Sequence, residues 1–370
     1  VMTRPTPFIL SSVKAGRFVN EVEYLRIISG QRQDWRAQAL KPCLWVFSLF
    51  YRAVVSIRNR MFDWRLRTIE RPRVPVISLG NLTTGGTGKT PFVAYLTKWF
   101  QQRQVQVALL SRGYRALPGE VNDEKLLLDR LCPGVPHYQN PNRCASSKQA
   151  INEGAQLLVL DDGFQHRKLA RDLDIVLIDA VCPWGHGWLL PRGLMREPKS
   201  SLKRADFVIL TRADQCSPAA LAHLKEEVAR TLSRDRIACA VFRPQELVNV
   251  SGETESLDSV AGKTVWGFCA IGNPEGFRQT LENAGFVVAG MQIFPDHHHY
   301  SSDDLEEIGV QAANASAELI LTTSKDLVKT SEQKLSEIPV WSVEIGAEII
   351  EGNEVFEGLL QNLMQEVSLD

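Results

Sequence analysis

The segment 74–90, VPVISLGNLTTGGTGKT, running straight into PFVAYLTKWF, limits this chain more than any other stretch. An apolar run, then a glycine-rich turn, then Lys-Thr opening a helical pattern is the P-loop arrangement. Gly85, Gly86 and Gly88, with Thr87 among them, let the backbone fold tightly and aim N–H groups at phosphate oxygens. The helix N-terminus adds its dipole. Lys89 is then expected to hold the β- and γ-phosphates of ATP, and Thr90 to ligate Mg²⁺. Thr83 stands where the strict G-x-x-x-x-G-K-[ST] pattern has Gly, so the loop fits the GGxGK[ST] subclass better.

Such a loop implies a parallel sheet, and the pattern around it agrees. Short apolar runs at 74–80, 105–110, 157–160, 174–179, 207–210 and 238–242 predict strands. Helical stretches at 89–102, 146–154 and 218–232 alternate with them. This order predicts a doubly covered parallel α/β sheet of the P-loop NTPase type. After Arg243-Pro244 the rhythm restarts, with strands at 264–272, 287–294, 319–321 and 340–343 and helices at 274–284 and 302–313. The expected division is an N-terminal extension over 1–66, a P-loop domain over 67–245 and a smaller C-terminal α/β domain over 246–370.

A P-loop needs a carboxylate at the end of a neighbouring strand for its metal. LLVLDD supplies one, with Asp161 or Asp162 holding Mg²⁺ directly or through water. An Asp pair that merely caps a turn is the simpler alternative.

Charge matters through its distribution. The 370 residues sum to −1, which argues against a generally basic nucleic-acid binder. Residues 1–75, however, carry 14 Lys/Arg against 5 Asp/Glu. Residues 21–66 read as helical, with aromatic and basic residues that suit either an interfacial membrane helix or a helix packed on the core. The longest apolar run, CLWVFSLFY, has nine residues and falls short of the ~20 of a spanning helix, so no transmembrane segment is expected. The acid-poor first 20 residues are similar to an organellar transit segment, for example a mitochondrial one. Seven cysteines with no CxxC pair fit a reducing compartment and exclude a paired structural zinc site.

Beyond the P-loop, further motifs follow in order: LLSRGYR (109–115), NDE (122–124), LVLDDGFQHRKLARDLDIVLIDA (158–180), LLPRGLMREP (189–198), FCAIGNPEGF (268–277), FPDHHHY (294–300) and TSKD (323–326). Together they resemble the tetraacyldisaccharide 4'-kinase family, over 74–326. The resemblance implies ATP-dependent phosphorylation of the 4'-hydroxyl of an acylated glucosamine disaccharide 1-phosphate. It implies a monotopic protein at the cytoplasmic face of the bacterial inner membrane, for which a monomer is expected, and the basic excess of residues 1–75 suits an anionic membrane surface. By the same resemblance, Asp161, Asp162 and Glu197 are associated with the metal, and Gln165 and Arg196 with the nucleotide. Asp123 is similar to the family's base and His297 to its histidine partner. Phosphoryl transfer asks mainly for positioning and neutralised charge, which Lys89, Mg²⁺ and Arg196 would supply. Asp123, oriented by His297, would accept the sugar hydroxyl's proton.

Other groups have plainer readings beside the functional ones. His297, His298 and His299 are adjacent and point in different directions, so a three-histidine metal site is not expected. Arg112 and Tyr114 follow a strand end, where open α/β sheets bind ligands. Arg112 suits the acceptor's 1-phosphate, or is surface charge. The tryptophans of PWGHGWLLP contact acyl chains or pack beneath their loop. Two competing classes share the loop: a membrane-associated P-loop ATPase switch, and a ligase that forms an acyl phosphate. The switch would not require Asp123 or His297.

Overall fold

A computed structural model of the chain describes residues 8–10, 21–113, 123–296, 298–330 and 332–367. They form two compact units. The larger contains 15–118, 131–241 and 347–370; the smaller contains 1–14, 119–130 and 242–346.

In the larger unit the strand order is His137–Gln139, Val107–Ser111, Leu157–Asp161, Val76–Asn81, Leu173–Asp179, Phe207–Thr211 and the start of Ile237–Val248, with all of these pairings parallel. The central strands are buried on both faces, as the apolar runs LLVL and FVIL demand, and VISL between them buries Ser78 as well. Helix Lys89–Gln101 covers one face with Phe92, Val93, Leu96 and Phe100, spaced so that one stripe points inward. Leu79 pairs with Asp161 across adjacent strands. Both strands therefore end together, and the P-loop and the Asp pair emerge at one carboxyl edge, where open α/β sheets take their ligands.

The smaller unit carries the strands Phe8–Leu10, Val287–Ile293, Thr264–Cys269, Leu319–Thr323 and Ile338–Glu351 in that order, also parallel. Its core includes Val265, Phe268, Leu281, Met291 and Leu321. Helix Asp123–Leu131 contributes 123–130 to this unit.

The two units differ from the three-part division expected from sequence in three places, the first being that 15–66 falls within the larger unit. The chain leaves the larger unit at Phe242, close to the expected boundary, but returns to it from Ala347 onward. There helix Asn353–Val367, which no sequence cue marked, sets Phe356 against Phe207 at 5.1 Å between ring centroids. The third change is 119–130, placed with the smaller unit. The last two are long-range returns of the chain, which a boundary drawn from local composition does not register.

The N-terminal helical stretch is two helices, Glu21–Ser29 and Trp35–Asp63. The second is 29 residues long, and by length and composition alone it could cross a membrane. The nine-residue run is the middle of this longer helix, and Arg52 ends the run without making the helix polar on average. Its buried residues are Ala37, Ser48, Val55, Asn59 and Phe62. Phe47, Phe50, Val54 and Ile57 remain between 58% and 67% exposed, so its outward face is apolar. Most of 1–20, including the transit-like composition, lies outside the described residues.

Candidate active site

The P-loop closes on Gly88, which takes a left-handed φ of +85° as the residue before helix Lys89–Gln101, a conformation that favours glycine. The loop is tied down on every side. The Asn81 amide donates to the Thr87 hydroxyl at 3.0 Å, the Thr211 hydroxyl to the Thr87 carbonyl at 3.0 Å, and Arg212 to the Gly86 carbonyl at 2.7 Å. The backbone of Thr84 donates to Leu194 at 2.7 Å and that of Arg196 to Leu82 at 2.7 Å. The LLPRGLMREP segment is thus laid along the phosphate loop, and this delivers Arg196 to it.

At the neighbouring strand end the backbone turns sharply through Asp162, at φ +53°. Gly163 follows, where a Cβ would lie 2.5 Å from the Ser78 hydroxyl. The turn presents Asp162 to two cations. Arg196 donates both terminal nitrogens to it, at 2.7 and 2.8 Å, and Lys89 lies 3.7 Å away. Burial works to raise the Asp162 pKa, but Lys89 and Arg196 outweigh it and hold the carboxyl far below the usual range. Arg196 also donates to the Asn81 side chain, and Gln165 to the Asn81 carbonyl at 2.9 Å. Lys89, Asp162, Gln165 and Arg196, four of the residues proposed from sequence, therefore meet around Asn81 and the loop.

Asp161 is 5% exposed at the end of its strand. Thr90 sits in the first turn of the helix that the loop opens. Thr90, Asp161 and Asp162 offer hydroxyl and carboxylate oxygens, the donor type Mg²⁺ takes while keeping water and phosphate as its other ligands. The donor set fits that ion.

Glu197 does not. Its side chain is fully buried, with one oxygen 2.5 Å from Arg58 and the other 2.8 Å from Arg204 and 3.1 Å from the Asn59 amide. A carboxylate encased by two guanidiniums has its charge matched already. Its pKa is lowered, burial being outweighed mainly by Arg204. Through these bonds Glu197 links helix Trp35–Asp63 to the segment that carries Arg196. Tyr51 and Ser48 of that helix add bonds to the Arg196 and Leu189 carbonyls at 3.1 and 3.0 Å.

Asp123 belongs to the smaller unit and lies 3.5 Å from Lys329. Asp296 pairs with Lys325 at 2.9 Å, and His298 with Asp304 at 2.9 Å, so His298 has a local partner in the first turn of the helix that follows its loop. His297 and Tyr114 lie outside the described residues. Arg112 is exposed. Of the two tryptophans, Trp184 packs, donating to Glu227 at 2.7 Å beneath Lys199, whereas Trp188 is 42% exposed.

Sequence reasoning missed Arg143, which is 5% exposed and donates to the Asp161 carbonyl at 3.3 Å. Burial lowers its pKa, while Asp162 and Asp161 oppose that. A signal existed: Arg143 is the first residue of helix Arg143–Asn152, where a cation works against the helix dipole. Such a residue needs nearby anions, and the Asp pair provides them. His166, in the same motif as Asp162, is kept neutral, its pKa lowered to about 4 by burial and then by Arg143 and Arg171.

Residues 40–365 match the family described as tetraacyldisaccharide-1-P 4'-kinase. A tetraacyldisaccharide 4'-kinase of Syntrophus aciditrophicus is 38% identical over 91% of this chain and 96% of its own length. One of Halothermothrix orenii is 33% identical over 80% and 85%. Among solved structures, LpxK from Aquifex aeolicus in complex with ATP superposes with a TM-score of 0.72 at 30% identity, covering 88% of this chain and 99% of that one.

Proposed function

The chain belongs to the tetraacyldisaccharide-1-P 4'-kinase family, and from that premise we propose that it transfers the γ-phosphoryl group of ATP to the 4'-hydroxyl of a tetraacyldisaccharide 1-phosphate, a step of lipid A synthesis. The observation that carries this reading is the convergence of Lys89, Arg196 and Asp162 on a phosphate-binding loop. Charge builds on the transferring phosphoryl oxygens, and catalysis consists largely of holding and neutralising them. Lys89 and the backbone amides of 85–90 bind the phosphates. Arg196, steadied by Asp162, lies along the loop, and Gln165 holds the Asn81 backbone beneath it. Thr90 with Asp161 and Asp162 would hold Mg²⁺, which supplies further neutralisation of the phosphates when bound.

Asp123 is the proposed base. As the new P–O bond forms and the bond to the leaving ADP oxygen breaks, the acceptor's hydroxyl proton passes to the Asp123 carboxylate. His297 is its proposed partner. Arg112 and Tyr114 are proposed contacts of the acceptor.

The acceptor carries acyl chains, so the enzyme must meet it at a membrane. The outward stripe of Phe47, Phe50, Val54 and Ile57 supports a helix lying in the interface. The excess of basic residues in 1–75 supports an anionic surface, at ~1 kcal/mol per residue near the headgroups. We place the protein, as a monomer, on the cytoplasmic face of the bacterial inner membrane.

The test is to incubate the protein with γ-labelled ATP, Mg²⁺ and the disaccharide 1-phosphate in detergent micelles. Label is expected in the lipid. Label found only in free phosphate would favour an ATPase switch and remove the kinase reading.

A further inference from the structure

The smaller unit buries a charge arrangement that the P-loop chemistry does not use. The Lys329 side chain is 3% exposed, and its ammonium lies between two carboxylates, 3.0 Å from Asp326 Oδ1 and 3.5 Å from Asp123 Oδ2. Asp326 is fully buried and fixed independently. Its other oxygen accepts from the Ala270 backbone N–H at 3.0 Å and from the Thr323 hydroxyl at 2.7 Å. Thr323 caps the short helix Ser324–Leu327, and Lys329 follows it, its own N–H bonded to the Asp326 carbonyl at 3.0 Å. The Tyr300 ring stands 6.0 Å from the ammonium.

Lysine is a flexible residue that resists burial. Here its head is held by an anchored carboxylate on one side, so what it offers Asp123 on the other is a point charge at a fixed place. Asp123 opens its helix, and the link ties that helix end to the 323–329 turn.

We propose that Lys329, anchored by Asp326, is a positioning residue for Asp123: it fixes the carboxylate in the orientation from which it takes the acceptor's proton. The proposal rests on the reading of Asp123 as the base. It assigns a task to the TSKD motif: Thr323 and Asp326 hold the lysine that holds the base.

The test uses the full chain in micelles with ATP, Mg²⁺ and the lipid acceptor, and compares Lys329→Met, Lys329→Arg, Asp123→Asn and the two double variants. Lys329→Met is expected to lower kcat by about 100-fold, the cost of a misplaced catalytic group, with both KM values within about threefold of wild type. Lys329→Arg keeps the charge and should recover about tenfold of that loss. In the Asp123→Asn background either lysine substitution should change kcat by less than about threefold, because the group it positions is gone.

If the losses multiply in the double variants, Lys329 acts elsewhere and the proposal fails. If Lys329→Met keeps wild-type kcat while Asp123→Asn is inactive, the proposal fails and the base reading stands. If Asp123→Asn itself keeps wild-type kcat, both fail. Should Lys329→Met not fold, Lys329→Arg and its double variant carry the same comparison.

Discussion

Arg58 and Glu197, 139 positions apart in the chain, meet at 2.5 Å, the carboxylate fully buried and the arginine side chain 33% exposed. Through it the long N-terminal helix and the segment that bears Arg196 become one construction. Arg196 reaches Asp162 from the residue next to that junction.

This contact separates structure from metal binding. Glu197→Gln leaves Arg58 and Arg204 facing each other with no carboxylate between them. Removing one partner of a buried pair costs about 3–5 kcal/mol. Thermal unfolding should fall by roughly 6–20 °C at the 2–4 °C per kcal/mol typical of large domains. The Mg²⁺ concentration for half-maximal activity should stay where it is at a temperature at which the variant is folded. A large rise in that concentration, with stability intact, would return Glu197 to the metal.

Arg196→Lys tests the paired hydrogen bonds to Asp162. Lysine keeps the charge but cannot make two parallel bonds to one carboxylate. The substitution should lower kcat/KM for ATP by about 10–100-fold, corresponding to ~1.4–3 kcal/mol for lost charge-assisted bonds. Circular dichroism and melting temperature should change little. Wild-type kinetics would show that the bidentate geometry is incidental.

His166 predicts a pH dependence of stability. Its pKa is near 4 in the fold, against an ordinary value of 6.5. Between these values the unfolded chain binds more protons, so stability rises with pH across this window and is lost as pH falls from 6.5 toward 4. Asp174, raised to about 6 by burial, acts in the opposite direction, its contribution falling as pH rises through the same range. The wild-type slope mixes the two. The difference between wild type and His166→Asn isolates the histidine: the variant should lose less stability on going from pH 7 to pH 5, measured by urea unfolding. Equal losses would contradict a neutral, half-buried His166.

The exposed stripe of helix Trp35–Asp63 predicts membrane partition. Phe47→Ser with Phe50→Ser removes two exposed aromatic side chains, each worth about 1.5–3 kcal/mol when buried. Binding to anionic vesicles should drop by at least about tenfold in sedimentation, with the melting temperature unchanged in solution. Binding of the wild type should also weaken as salt rises, since the basic residues act within a Debye length of the surface. Salt-insensitive binding would assign the attachment to apolar contact alone.

Much of the larger unit was legible because its signals are local. VPVISLGNLTTGGTGKT carries strand, turn and helix start in consecutive residues, and LLVLDD ends a strand on its carboxylates. Backbone sterics and the burial of apolar runs act over a few residues, so they leave a readable pattern. The helices 123–131 and 353–367 were not legible. The first opens on the same Asp123 that a motif had singled out, yet the motif says nothing of backbone shape. The second belongs with strands more than a hundred residues earlier.

For this protein, sequence by itself determined the phosphate loop, the parallel sheet that presents it, and the family, because each rests on residue order within a short span. Tertiary structure alone decided which cations each carboxylate faces. Asp162 and Glu197 each sit between cations, and both look like metal ligands in a motif. Asp162 faces the P-loop lysine, whereas Glu197 is enclosed by Arg58, Asn59 and Arg204. The charge environment of a side chain is set by residues distant in sequence, and only the folded chain brings them within the few ångströms over which a buried ion pair acts.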